Sequence, residues 1–158
     1  MSLTPEQLVT LKDIVLLEPS LAAARDSGDG QVIAAWCNAL AVPDFIVKKI
    51  TLSRHEILVD TSLENTNFAW AAGAYITRSQ GERDAFREMF NSSGAVDPTK
   101  DNVQAAFADI FSGAGGAGNR DHIVKITKRK ATRAEKAFAL GLGTLVSPAA
   151  LVWTGVIT

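Results

Sequence analysis

Three side chains in this sequence carry the chemistry of a nucleophile or a base: Cys37, His55 and His122. A thiol attacks only when a base or positive charge lowers its pKa. A histidine needs a partner at ligand or relay spacing. Cys37 lies in the apolar run VIAAWCNALAV and reads as a buried core thiol, and a single cysteine forms no internal disulfide. His55, between Arg54 and Glu56 in a first helical turn, reads as solvent-facing. His122 sits in a basic stretch. Neither has a cysteine, second histidine or carboxylate at ligand spacing. No catalytic, cofactor-binding or metal-ligating residue is assigned, and no enzyme activity is expected. Residues 113–118, GAGGAG, match GxGxxG by letter, but a dinucleotide loop must follow a strand and these follow a helical pattern. With no GK[ST] ending, they are expected to form a flexible connector.

What remains for chemistry is charge. Residues 120–136 hold seven of the 16 Lys and Arg against two acids, so the segment is about +5 and the remainder about −6. From about Asn119 the pattern predicts one long helix. On its wheel Lys125, Arg129, Arg133 and Lys136 form a basic stripe of about 16 Å opposite Val124, Thr127, Ala131, Ala134 and Phe138. Such a stripe can be a solvated face, a contact for the acidic part of a neighbouring copy, or a phosphate contact without sequence readout.

Residues 141–158 carry no charge. They are read as an extended arm whose interaction residues are Leu145, Val146, Leu151, Val152, Trp153, Val156 and Ile157. The arm either folds back on its own domain or adds a strand to another subunit, and the second is favoured.

The elements that must position these residues are mostly helical. Thr4-Pro5-Glu6-Gln7 is a capping box that starts a helix to about Leu17. A second helix is expected over about residues 31–41, ended by Val42-Pro43. Residues 45–51 are read as extended, and Ser53–Glu56 as a second capping box opening a short helix. Residues 67–80, 82–90 and 98–111 show helical spacing, with Phe68, Tyr75, Phe86, Phe90, Phe107 and Ile110 inward. The expected fold is mainly α: a helical bundle of six or seven helices, with a small β element from the C-terminal arm and residues 45–51. Residues 1–140 would be the helical body and 141–158 the assembly arm of one domain.

With 158 residues, 47% hydrophobic and 21% charged, the composition is that of an ordinary globular protein. Its apolar runs fall short of the roughly 20 residues of a membrane span. The start MSLTPEQL lacks a signal-peptide pattern, which points to synthesis and retention in cytoplasm.

Residues 3–12, LTPEQLVTLK, and 128–151, KRKATRAEKAFALGLGTLVSPAAL, resemble a family of small proteins encoded among the virion structural genes of tailed bacteriophages. Residues 29–47 and 98–116 resemble the same family in order. The resemblance implies a virion structural protein made in the host cytoplasm, a head-tail connector or adaptor that forms a ring beneath the portal. Its partners would be copies of itself in a cyclic homo-oligomer, portal and tail components, and packaged DNA non-specifically. No cofactor and no membrane are implied. The alternative is a phage or bacterial regulatory module that contacts DNA through the 120–136 helix.

Overall fold

A computed structural model describes residues 3–59, 67–70, 75–91, 93–142, 145–153 and 155. The chain opens with α1 (Pro5–Leu17), where Thr4 Oγ1 accepts from the Gln7 N–H at 3.3 Å and Gln7 Oε1 accepts from the Thr4 N–H at 2.9 Å. A 3-10 turn, Pro19–Leu21, leads to α2 (Ala22–Asp26) and α3 (Gly30–Asn38). Then come β1 (Ile46–Lys48), β2 (Leu52–Ser53), α4 (Arg54–Val59), α5 (Gln80–Glu88) and β3 (Ala95–Val96). The remainder is α6 (Asp101–Ile110), α7 (Gly113–Ile126), β4 (Lys128–Lys130), α8 (Arg133–Phe138) and α9 (Pro148–Trp153). Two small sheets form, β1 with β4 and β2 with β3; the second is antiparallel, with Leu52 opposite Val96.

The fold is therefore mainly α with a small β element, as expected. Its parts differ. Nine α-helices occur among the described residues rather than six or seven: the expected long basic helix is divided into α7 and α8, the short helical turn expected over 20–25 forms α2, and α9 forms in the segment expected to be extended. The β element draws on residues 46–48 as expected, but its partner is 128–130 and not the C-terminal arm. Residues 113–118 are helical: the Gly-rich letters open α7. At Gly116 the packing demands a glycine, since a Cβ there would run into the Phe111 carbonyl, whereas one at Gly113 or Gly118 would meet nothing. Of the helix expected over 67–80, residues 67–70 and 75–79 are not helical, and 71–74 lie outside the described residues.

The chain divides into two compact units, Met1–Val47 with Lys130–Thr158 and the continuous Lys48–Arg129. The first packs α1, α3, α8 and α9 around Leu11, Val15, Ile33, Cys37, Ala134 and Leu151. Arg25 closes the end of α1 by donating to the Val15 and Glu18 carbonyls at 2.6 and 2.8 Å. These are among the last carbonyls of α1 and its cap, which have no partner within the helix.

The second unit has an aromatic core. Phe86 meets Phe68, Tyr75, Phe90 and Phe111 at ring-centroid distances of 5.5–6.0 Å, mostly edge to face. Among the described residues no helix is long and apolar enough to cross a membrane.

Candidate functional site

The basic segment is not one helix. α7 ends at Ile126, and Thr127 Oγ1 turns back to donate to the Val124 carbonyl at 2.7 Å. The Thr127 carbonyl then accepts from the Lys49 N–H at 2.7 Å, and Lys128–Lys130 continues as β4. Ala131 donates to the Phe45 carbonyl at 2.8 Å and Leu40 bridges Thr132. Intrinsic propensity favours helix for Lys and Arg by only tenths of a kcal/mol each, and this run of backbone pairing outweighs it. The expected 120–136 helix and its continuous stripe are thus corrected. Lys125 lies on α7 and Arg129 on β4 in the second unit, whereas Arg133 and Lys136 lie on α8 in the first.

On α8 the two bases are half-buried and engaged. Thr132 and Glu135 form a capping box, and the buried Glu135 carboxylate also accepts from the Leu142 N–H. That bond ties the chain leaving α8 to the helix itself. The Arg133 guanidinium lies 4.7 Å over the Trp36 ring, a cation–π arrangement, and Lys136 Nζ donates to the Pro43 carbonyl at 3.1 Å. Together with Glu18, Ser20, Ala41 and Val42 they line a cleft of ≈ 330 Å³.

A larger cleft, ≈ 430 Å³, lies in the second unit between α6 and α7. Its walls are apolar, from Ala105, Ala108 and Val124 among others, and Lys48, Arg120 and Lys128 stand along it. Arg120 is held by donating to the Phe111 carbonyl at 3.1 Å. Lys48 and Lys128 are exposed and have no ion-pair partner among the described residues. Neither lysine belonged to the expected interaction set; a wheel drawn for one long helix cannot place residues on strands.

The arm folds onto its own unit. Asn38, at the end of α3, donates to the Val146 carbonyl and accepts from the Val146 N–H, both at 2.8 Å. Val146 and Leu151 are buried in the first core, and α9 packs on α1 and α3. Leu145 and Val152 are exposed; Trp153 lies in α9; Val156 and Ile157 are outside the described residues. So residues 145–153 form an irregular segment and a helix, not a strand, because an apolar face at helical spacing finds cover at home.

The residues that could have been catalytic are placed as follows. Cys37 is fully buried, and burial pushes its thiol up to about 11. His55 is exposed at the first turn of α4, behind the expected Ser53–Glu56 box. His122 is buried, with Nε2 2.8 Å from the Ile57 carbonyl oxygen and its ring against Phe68. Among the described residues no group of His, Cys, Asp and Glu could hold a metal ion. Comparison with protein families, with characterised proteins and with solved structures finds no match.

Proposed function

We propose that this chain is a structural protein of a tailed-phage virion, a connector or adaptor that assembles with copies of itself and docks between other virion proteins. The virion context rests on the sequence resemblance, and assembly rests on one observation. Helix α1 is apolar on two opposite sides. Leu11 and Val15 enter the core, while Val9, Leu16 and Leu17 are 61%, 48% and 80% exposed. Three large apolar side chains clustered on the outer side of one helix are more than the scattered exposure usual on a monomer and mark a candidate contact surface. The regulatory alternative was built on one basic helix over 120–136, whereas its four bases are divided among α7, β4 and α8.

The test is the native mass of the purified full chain across a range of concentrations, alone and with portal or tail proteins. A discrete species of several copies, or a stoichiometric complex, is the expected result. A monomer under all these conditions rejects the reading.

A further inference from the structure

From the second side of α1 and the α6–α7 cleft we infer a head-to-tail contact: α1 of one copy seats in the basic-rimmed cleft of the next. This inference rests on the assembly reading above and names the two surfaces that would carry it.

On a wheel of 100° per residue, Leu16, Val9, Asp13, Glu6 and Leu17 fall in that order within an arc of about 100°, opposite the buried Leu11 and Val15. All five are exposed. The face is therefore apolar with two carboxylates and no base within it; Lys12 lies beyond its edge.

The cleft offers the complement. Its floor is the buried Phe107 and Ile123 and its walls are Ala105, Ala108 and Val124, and small side chains on α6 allow a second helix to approach closely. Its charged members are Lys48, Arg120 and Lys128, with no Asp or Glu among its described lining residues. An acidic amphipathic helix is the occupant that matches both floor and rim. This chain carries one, exposed. Because the two surfaces differ, the contact is heterologous, and copies joined this way form a ring if the rotation closes and a filament if it does not.

The experiment uses the full chain in three forms: wild type, Glu6→Lys with Asp13→Lys, and Lys48→Glu with Lys128→Glu. Arg120 is left intact because it holds the Phe111 carbonyl. Assembly is read by sedimentation and native mass. Each double variant alone is expected to need roughly tenfold or more higher concentration to half-assemble. An equimolar mixture of the two is expected to recover assembly, since the reversed helix then meets the reversed rim. Recovery in the mixture also shows that both variants are folded. If wild type assembles and the variants match it, or the mixture fails to recover, this interface is wrong while self-assembly stands. If wild type never associates, the interface and self-assembly fall together.

Discussion

Cys37 illustrates how burial decides chemistry. A thiol raised to about 11 is about one part in a thousand thiolate near pH 8, and Cys37 is fully buried. Native protein is therefore expected to resist a thiol reagent for as long as it stays folded, and to react at once in denaturant; rapid native modification would contradict the buried placement. That burial was legible from the apolar run around the cysteine. The structural asparagines were not. Asn119, fully buried on α7, accepts from the Ala69 N–H at 2.7 Å and donates to the Ala69 carbonyl at 3.0 Å. It offers Ala69 both halves of a strand partner, beside the bond that the Ala69 carbonyl accepts from the Tyr75 N–H. A lone asparagine in a glycine-rich stretch gives no hint of this, because its partner is fifty residues away. Asn119→Ala leaves the Ala69 N–H unsatisfied, while the Ala69 carbonyl keeps the Tyr75 N–H, and is expected to cost about 1–3 kcal/mol in urea unfolding. A loss within experimental error would show that water reaches Ala69.

At the scale of elements, local capping signals fix helix starts even where a longer charge pattern points to one continuous helix. Thr4–Gln7 and Ser53–Glu56 have the capping-box pattern, and the hydrogen bonds are there. Thr132–Glu135 and Ser79–Glu82 obey the same spacing. The first opens α8 inside the basic run, so a capping box there divides the long helix that the charge pattern alone predicts. Thr132→Ala is expected to cost about 1 kcal/mol by thermal or urea unfolding.

The Ser79 box makes a pH prediction. Hydrogen bonds from the Ser79 hydroxyl and N–H hold Glu82 below its ordinary 4.5, with Arg78 adding to the effect. A carboxylate whose folded pKa is depressed contributes stability above its unfolded value, and that contribution is lost as pH falls through the folded value. Melting temperature should therefore drop below about pH 4.5, with a shallower drop in Glu82→Gln. Identical slopes in the two proteins would mean that the box is frayed in solution.

The whole molecule reorganises what the linear sequence seemed to separate. The +5 and −6 parts do not map onto the two units: the first holds 5 Lys and Arg against 7 Asp and Glu, the second 11 against 10. Charge is local, in the cleft of one unit and on one helix of the other. The body-and-arm division fails for a similar reason. Apolar residues without charge suggest an arm reaching outward, yet Val146 and Leu151 complete the first core, and Asn38 holds the Val146 backbone. Periodicity cannot say whose surface an apolar face will meet, which is why the fold class was legible and the owner of this segment was not. Leu151 is fully buried, so Leu151→Ala removes its contacts and leaves a cavity, at an expected cost of about 2–5 kcal/mol. The two cores share no buried residue among those described, and the second unit is one continuous stretch. The loss should therefore fall unequally. Hydrogen exchange is expected to speed up in α1, α3 and α8 of the variant, while amides of α5, α6 and α7 keep most of their protection. Removing residues 144–158 should do the same more severely. Wild-type protection throughout the first unit after either change would return the segment to the role of a free assembly arm.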